Sequence, residues 1–389
     1  MSRILIFTGK GGVGKTSVAA AHAIHSAKSG VKTLILSTDM AHNLGDVFDM
    51  PIGKSICQVT EDLDALEIDP NYTMDHDFKD MKRAVINLLN SSGLPMDTIE
   101  AFNLFPGMDE LFSLLKILDI YEEGKYDHII VDCAPTGETL TLLKFPELLS
   151  WYMEKFFPVG KIAMRVLSPI SKAVFKIDLP DKDALTDIEK LFVKLVKLQD
   201  LLKDSSITSI RLVAMAEKMV VEETKRNYMY MNLYNFHVDS LFINRVLPKD
   251  IDNVFFDDWL DIQHKYIDEL EAIFANVPIH QIPWFDSELK GIEGITRIED
   301  TTLKGWNVFE AIKIQKGESY VKSGEDYILK IFLPTIDSKA LDMHESTNDI
   351  IIKVGNFKRN ISKPNALRNY RISGAKFTDQ NLMITLSLG

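Results

Sequence analysis

Near the start of the chain, residues 9–16 read GKGGVGKT, a spacing of glycines, lysine and threonine that can bind phosphate. In the loop pattern G-x-x-x-x-G-K-[ST], backbone N–H groups surround phosphate oxygens, the lysine reaches the β- and γ-phosphates and the final hydroxyl binds Mg²⁺. We therefore expect a catalytic role for Lys15 and direct contact between Thr16 and Mg²⁺. The predicted nucleotide-binding residues of this loop are Gly11, Gly12, Val13, Gly14, Lys15, Thr16 and Ser17. A glycine-rich turn without a ligand is the alternative.

Two aspartates stand where they could complete such a site. The apolar run KTLILST (32–38) precedes Asp39, and the apolar run in YDHIIVD (126–132) ends at Asp132. Ligands of open α/β sheets bind beyond the carboxyl ends of the strands, so both carboxylates are expected near the phosphates. We predict that Asp39 and Asp132 hold Mg²⁺ through water. For each residue the alternative is a buried aspartate with a structural role.

A sheet must position these residues, and the flanking sequence predicts one. RILIFT (3–8) is typical of a buried strand, and residues 15–30 are an alanine-rich helix that should end at Gly30. Strand, glycine loop and helix, in this order, are the context that the phosphate loop requires. We predict an α/β fold with a mostly parallel sheet of the P-loop type, flanked by helices and extended by a helical subdomain. A further helix at 186–202 has an apolar face formed by Ile188, Leu191, Phe192, Leu195, Leu198 and Leu202.

Three segments together resemble one known family. KGGVGKT (10–16), STDMAHNLGD (37–46) and DCAPTGETL (132–140) are similar to motifs of the family that contains the arsenite-pump ATPase and the tail-anchored-protein-targeting ATPase. LVAMAEKMVVEETKR (212–226) and LFINRVLP (241–248) follow in the expected order. The resemblance covers residues 1–312 and implies an ATPase with a deviant Walker A loop.

The resemblance also implies roles for individual residues. Asp39 would position or activate the attacking water, Glu217 would contact nucleotide and Asn244 would read adenine. Lys10, which the general loop pattern does not require, would reach across a homodimer interface to the nucleotide of the other subunit. It would supply in trans the positive charge that an arginine finger supplies elsewhere. The implied ligands are ATP and Mg²⁺. For Lys10 the alternative is a solvated loop lysine.

Two switch segments are implied by the resemblance as well. The first would run from Asp39 to Asp46, and the second from Asp132 to Thr139. Because the turn after Asp132 lies close to the expected phosphates, it would respond to the γ-phosphate of the nucleotide.

Some residues depart from the family pattern. Met40 replaces a proline in the first switch segment, and Glu138 replaces the histidine of the arsenite-pump ATPase in the second. Eukaryotic targeting members also carry a C-x-x-C that bridges the dimer through zinc. Residues 251–259 contain no cysteine, so we expect no zinc site here.

The chain has two cysteines, Cys57 and Cys133, in different contexts. They cannot supply the cysteine set with which the pump ATPase binds arsenite, which argues against activation by arsenite. Low cysteine usage favours a reduced, cytoplasmic protein. The net charge of −12 argues against nucleic acid as a partner. We find no leader peptide and no apolar run long enough to span a membrane, and peripheral attachment to a membrane stays open.

Two apolar stretches suggest a binding surface for apolar segments. Residues 151–176 combine five basic residues and one acidic residue with many apolar side chains, and residues 94–118 are rich in apolar residues and methionine. Methionine-rich surfaces adapt to varied apolar partners. In the family this subdomain, placed here at approximately 76–120 and 145–203, forms a groove for the hydrophobic helix of a client protein. Ordinary core packing of helices is the alternative.

The sequence changes character towards its C-terminal end. We interpret residues 315–326 as a linker between an ATPase domain (1–314) and a small antiparallel β-sandwich (327–389). The runs YILKIFLP (327–334), NDIIIKV (348–354) and LMITLSL (382–388) are β-rich, and GAKFTDQNLMITL (374–386) resembles the end of the α-crystallin domain of small heat-shock proteins. A lid over part of the ATPase sheet is the alternative.

These observations lead to one functional hypothesis with two alternatives. The hypothesis is a homodimeric, Mg-ATP-dependent ATPase whose nucleotide cycle opens and closes a groove for apolar segments of membrane proteins or other clients. The first alternative is the peripheral ATPase of an arsenite or other anion pump. The second is a slow-turnover assembly scaffold that nucleotide controls.

Overall fold

The computed structural model describes residues 2–39, 43–83, 108–133, 187–251, 253–312, 314, 317–336, 340–346, 349–355 and 357–389. The apolar basic stretch at 151–176 lies outside the described residues. So do most of the stretch at 94–118 and the part of the second switch segment that follows Cys133.

One sheet contains eight strands of the described chain. They are β1 (Arg3–Thr8), β2 (Thr33–Ser37), β3 (Cys57–Thr60), β4 (Leu63–Glu67), β5 (His128–Asp132), β6 (Thr208–Ala214), β7 (Val238–Val246) and β8 (Ile279–Pro283). Their order is β3-β4-β2-β5-β1-β6-β7-β8. β3 pairs antiparallel with β4, whereas the pairs β4–β2, β2–β5, β5–β1, β6–β7 and β7–β8 are parallel. The predicted mostly parallel sheet is therefore confirmed.

Helices flank this sheet, as the alternation of patterns predicts. They are α1 (Lys15–Lys28), α2 (Asn43–Phe48), α3 (Pro70–His76), α4 (Met108–Glu123), α5 (Asp187–Lys203), α6 (Lys218–Leu233), α7 (Asp257–Ile273) and α8 (Gly291–Ile298). A π-helical turn (Glu299–Leu303) continues α8, and 3₁₀ turns span Val254–Phe256 and Asn365–Leu367. In α5, Leu195, Leu198 and Leu202 of the predicted apolar face are buried. No helix within the described ranges is both long enough and apolar enough to cross a membrane.

The boundaries of β1 and α1 follow directly from local sequence. All six residues of β1 are buried, as expected for a central strand that is covered on both faces. Alanine residues fill the buried face of α1, and Gly30 follows the helix with φ +73°, a conformation that glycine adopts without steric cost.

The described chain divides into two compact units. The first comprises Met1–Thr208 and Phe285–Glu310, and the second comprises Ser209–Trp284 and Ala311–Gly389. The C-terminal β-rich region therefore belongs to the same compact unit as β7 and β8. This division differs from the predicted boundary at residue 314.

Two antiparallel sheets make up the C-terminal region. One has the order β14-β15-β10-β9, formed by β9 (Glu318–Ser323), β10 (Asp326–Phe332), β14 (Tyr370–Thr378) and β15 (Asn381–Leu388). The other consists of β11 (Leu341–Glu345), β12 (Asp349–Val354) and β13 (Phe357–Ser362). The alternating residues Leu382, Ile384 and Leu386 are buried, and the expectation of antiparallel β-structure is confirmed.

The predicted linker at 315–326 is wrong. Strand β9 lies inside it and pairs along its full length with β10, across a tight turn at Gly324, where φ is +64°. β9 is an edge strand whose side chains are half-buried or exposed. Its polar sequence therefore lacks the apolar alternation by which strands are recognised.

Helix α6 joins the C-terminal sheets to the rest of the second unit. The rings of Tyr230 and Phe357 stack with centroids 3.5 Å apart. The Tyr234 hydroxyl donates to the Lys358 carbonyl at 3.0 Å, and buried Arg359 donates to the Leu233 carbonyl at 2.5 Å. Aromatic and buried polar contacts thus attach the C-terminal region to the end of α6, which explains why the two belong to one unit.

Candidate nucleotide-binding site

The glycine loop connects the end of β1 to the start of α1, as the phosphate-loop pattern requires. Gly12 and Gly14 have φ angles of +81° and +88°, in the left-handed region that favours glycine. Gly11 and Gly12 are exposed, and a Cβ atom at either position would meet nothing within 4 Å. The positive φ at position 12 therefore favours glycine. Because no described atom lies close to the exposed side of Gly11 and Gly12, a ligand could approach the loop there.

Lys15 begins α1 and is only 6% exposed. Its Nζ donates to the carbonyl oxygen of Lys10 at 3.3 Å, which holds the ammonium group against the loop. Val13 is buried beneath the loop, whereas Thr16 and Ser17 in the first turn of α1 are half-buried. The N-terminus of a helix and an adjacent ammonium group favour the binding of anionic phosphate. Contact of these residues with phosphate stays a prediction.

Asp132 ends β5 and is 1% exposed. Neither carboxylate oxygen has a hydrogen bond of normal distance and angle from the described residues. The pKa of this carboxyl is raised to about 7, mainly by burial and also by the charge of Asp39, and this is the net value after the lowering effects of the Thr16 and Ser37 hydroxyls and the Lys15 ammonium. As an anion, Asp132 therefore needs an additional positive charge nearby.

The surroundings of Asp132 fit a divalent cation. Mg²⁺ takes oxygen ligands and is commonly bound through one or two carboxylates, a hydroxyl, waters and the phosphates of a nucleotide. The Thr16 hydroxyl is close enough to Asp132 to lower its pKa, and the carboxylate oxygens have accepting capacity to spare. The predicted pair of Thr16 as a direct ligand and Asp132 as a ligand through water is thus chemically consistent with the structure.

Asp39 lies two residues after Ser37, at the carboxyl end of β2, the strand beside β5. Its backbone N–H donates to the Ser37 hydroxyl oxygen at 3.1 Å, and the N–H of Thr38 donates to the Asp132 carbonyl at 3.0 Å. The Asp39 side chain is half-buried, and its charge acts on Asp132. The structure therefore brings the two predicted carboxylates together, beside Lys15.

Ser37 is a site residue that the sequence prediction did not name. It pairs in register with Asp132, and its hydroxyl influences that carboxyl while it accepts the Asp39 N–H. Its position in the sequence could have indicated this role, because Ser37 ends an apolar run and directly precedes Thr38 and Asp39. Ligand-facing side chains cluster at such strand ends.

The two predicted switch segments are described to different extents. The first begins at Asp39 and ends at Asp46, an exposed residue of α2. The second begins at Asp132, but its predicted end at Thr139 lies outside the described residues, as do residues 40–42 of the first. Movement of either segment with nucleotide stays a prediction.

Lys10 lies in the loop next to the site, and its side chain is half-buried. No hydrogen bond or ion pair joins its ammonium group to another of the described residues.

Glu217 and Asn244 belong to the second compact unit. Glu217 is the exposed residue before the first turn of α6 and does not cap that helix through its side chain. Asn244 lies in β7 at 8% exposure, where its Oδ1 accepts the N–H of Arg245 at 2.9 Å. Glu217 follows β6, whereas Asn244 lies near the end of β7, and the contact of both with nucleotide stays a prediction.

The raised pKa of Asp132 predicts a pH-dependent stability. Because the folded protein binds this proton more tightly than the unfolded chain, ionisation of Asp132 destabilises the fold as the pH rises from about 4 through about 7. Without nucleotide and metal, Asp132→Asn should therefore be more stable than the parent at pH 8, by up to about 4 kcal/mol. Denaturant titrations at several pH values measure the difference, which should vanish near pH 4. A difference that does not depend on pH would contradict the assignment.

Comparison with known proteins gives consistent results for both parts of the chain. The anion-transporting ATPase family matches residues 2–304, and the HSP20-like domain found in ArsA matches residues 324–386. A protein of Prosthecochloris vibrioformis named as a putative arsenical pump-driving ATPase is 33% identical over 99% of this chain and 96% of its own. This match includes the C-terminal β-rich region.

Two eukaryotic relatives match a shorter part. "ATPase ASNA1 homolog 1" of Paramecium tetraurelia is 31% identical over 76% of this chain and 91% of its own length. "ATPase GET3" of Zygosaccharomyces rouxii is 29% identical over 77% and 89%, respectively. The resemblance that was drawn from the motifs is confirmed, as is that of the C-terminal region to small heat-shock domains. The chain therefore belongs to the anion-transporting ATPase family and is an ATPase with a C-terminal HSP20-like domain.

Proposed function

We propose that this ATPase works as a Mg-ATP-dependent homodimer whose nucleotide cycle opens and closes a groove for apolar segments of membrane proteins or other clients. The observation that carries the hydrolytic part is the convergence of Lys15, Asp39 and the buried carboxylate of Asp132 at neighbouring strand ends. The client-binding part rests on the apolar stretches at 94–118 and 151–176, and on family membership.

Each residue of the site has one task in this proposal. Lys15 and the loop N–H groups bind the β- and γ-phosphates, while Thr16 and Asp132 hold Mg²⁺, the latter through water. Bound Mg²⁺ neutralises charge on the phosphates. Asp39 accepts a hydrogen bond from the attacking water and orients it towards the γ-phosphate. Ser37 fixes the backbone of Asp39, which limits the orientations of that carboxylate.

The proposed role of Lys10 requires two subunits, because this lysine would act on the nucleotide bound by the partner. This residue lies in the phosphate loop, where its carbonyl accepts from Lys15, and its ammonium group has no ionic partner among the described residues. We assign it to the nucleotide of the partner subunit, where it would stabilise the charge that develops during phosphoryl transfer. Glu217 and Asn244 complete the proposal as contacts to the nucleotide. A cytoplasmic location, with or without attachment to a membrane surface, fits this role.

The switch segments connect hydrolysis to the groove in this proposal. The segment from Asp39 to Asp46 and the one from Asp132 to Thr139 both begin at a carboxylate of the site. Loss of the γ-phosphate would change the charge around both carboxylates, and such segments commonly rearrange in response.

A pump-driving role is the second candidate, because the relative from Prosthecochloris vibrioformis carries that name. The thiols of this chain do not favour arsenite as an activator. Cys133 is 1% exposed in the second switch segment, whereas Cys57 is half-buried in β3. A slow-turnover scaffold is distinguished from both roles by its rate of hydrolysis.

Capture of an apolar helix distinguishes these functions. We expect the purified protein to keep a carrier protein, fused to an apolar helix of about 20 residues, in solution, since a groove would shield the helix from water. Light scattering measures aggregation in Mg-ATP and in Mg-ADP, with the carrier alone as control, and the two nucleotides should differ. Absence of capture in both, combined with turnover that arsenite stimulates, would instead establish the pump role.

Asp39→Asn tests the proposed catalytic carboxylate. The amide has the same size but is a poor base, so kcat should fall by about 100-fold or more. ATP binding should change by less than about threefold, because Lys15 and the loop are intact. Single-turnover hydrolysis and binding of a fluorescent ATP analogue measure the two effects. Normal turnover in this variant would rule out the assigned role.

Lys10→Ala tests action across the dimer. This variant should lose at least about tenfold in kcat, and Lys15→Ala should be nearly inactive. In an equal mixture, half of the dimers combine one subunit of each kind, and each of these has one complete site. The mixture should therefore recover up to about a quarter of the parent rate if the two sites act independently. A fully active Lys10→Ala protein would show that this lysine is an ordinary loop charge.

A further inference from the structure

Glu67 is a buried carboxylate with no assigned role in hydrolysis. It ends β4 and is 4% exposed. It pairs in register with Ser37 of β2, which pairs in turn with Asp132 of β5. Side chains at paired positions of neighbouring parallel strands lie on the same face of a sheet, about 4.8 Å apart. Glu67, Ser37 and Asp132 therefore form a row along the edge of the sheet where the site lies.

Glu67 binds the end of the first switch segment. Its Oε1 accepts the N–H of Gly45 at 3.1 Å, and Gly45 lies in α2 within residues 39–46. A Cβ atom on residue 45 would lie 3.1 Å from the Met50 carbonyl oxygen, so a larger residue would require the backbone there to shift by a few tenths of an ångström. The start of the same segment is held by the Asp39 N–H bond to Ser37. Both ends of the segment are thus bonded to side chains of this row.

The residues that follow Glu67 lead away from the site to helices. The N–H of Ile68 donates to the Ser37 carbonyl at 2.9 Å, and Asp69 caps α3 by accepting the Tyr72 N–H at 2.9 Å. The chain just after α3 packs on α4, where the rings of Phe78 and Phe112 lie 5.6 Å apart. Lys116 of α4 also donates to Asp77 at 2.8 Å. A short turn therefore connects the switch segment to α3 and, through the contacts of Asp77 and Phe78, to α4 of the predicted helical subdomain.

We propose that Glu67 is a positioning residue: its hydrogen bond to Gly45 fixes the end of the first switch segment and so helps to place Asp39 at the start of that segment. Through the turn at 67–69, Glu67 also links the segment to α3 and α4. The inference rests on the proposed role of Asp39 in hydrolysis. It does not require that the groove bind any particular client.

Two substitutions distinguish the effect of the length of the Glu67 side chain from the effect of its negative charge. Glu67→Gln keeps an acceptor at the same distance, and kcat should stay within about threefold of the parent value. Glu67→Asp keeps the charge but is one methylene too short to reach Gly45, and kcat should fall about tenfold, or ~1.4 kcal/mol. Affinity for a fluorescent ATP analogue should change in neither, because the phosphate loop is untouched. Equal activity of both variants, or the opposite order, would overturn the proposal.

Glu299→Ala is the matched control for loss of stability. Glu299 is also a buried carboxylate of the first unit, at 7% exposure, and binds His25 and Lys28 instead of the switch segment. Its removal should lower the melting temperature and leave kcat unchanged. If Glu299→Ala loses as much turnover as Glu67→Asp at similar melting temperature, the effect of Glu67 is one of general stability and the proposal fails.

Hydrogen exchange tests the link to the helices. In the parent protein, Mg-ATP should change amide exchange in the phosphate loop and in α3 and α4. In Glu67→Asp the response of the loop should persist, and that of the helices should be lost. A parent without any response in α3 and α4, or a variant that retains it, would overturn the link. Failure of helix capture by the parent protein would refute the client-binding function alone, since these measurements use no client.

Discussion

The buried carboxylate of Asp132 is the constraint around which the first unit is organised. A carboxylate at 1% exposure loses its hydration, and no hydrogen bond of normal geometry from the described residues replaces it. Its charge can be maintained only by cationic groups nearby. Lys15, held by the loop at the start of α1, supplies part of that charge, and a divalent ion held with Thr16 would supply the rest. The negative charge of Asp132 is therefore only partly compensated within the described chain, and Mg²⁺ bound with a nucleotide would complete the compensation.

The pairing of parallel strands places groups from neighbouring strands beside the charge of Asp132. β5 lies between β2 and β1, so groups at the ends of both neighbours stand beside Asp132. Ser37 contacts it from β2, and the backbone of Asp39 is bonded to the same serine. A change in charge at Asp132 therefore changes the electrostatic environment of Asp39, the first residue of the predicted switch segment. Glu67 extends the row by one strand and holds the other end of that segment.

The second unit depends on a different interaction, the attachment of the C-terminal sheets to α6. Tyr230 stacks on Phe357, and Arg359 is buried between the Leu233 carbonyl and Glu318. Removing one partner from such a buried set leaves the other without compensation, which costs more than an exposed ion pair contributes. The HSP20-like domain is thus a packed part of its unit, in contrast to a domain on a free linker. α6 begins beside Glu217, so the domain is attached to the helix that carries a predicted nucleotide contact.

Local sequence determined those features that depend on near neighbours along the chain. The extents of β1 and α1 follow from apolar runs and from glycines at positive φ, and the buried alternation of β15 is visible in its residues. The motif context likewise predicted the places of Lys15, Asp39 and Asp132. The tertiary structure alone decided which strand ends lie side by side, because strand pairing joins residues far apart in sequence and leaves little trace in local periodicity. For that reason the roles of Ser37 and Glu67, the polar edge strand β9 and the packing on α6 emerged only from the fold.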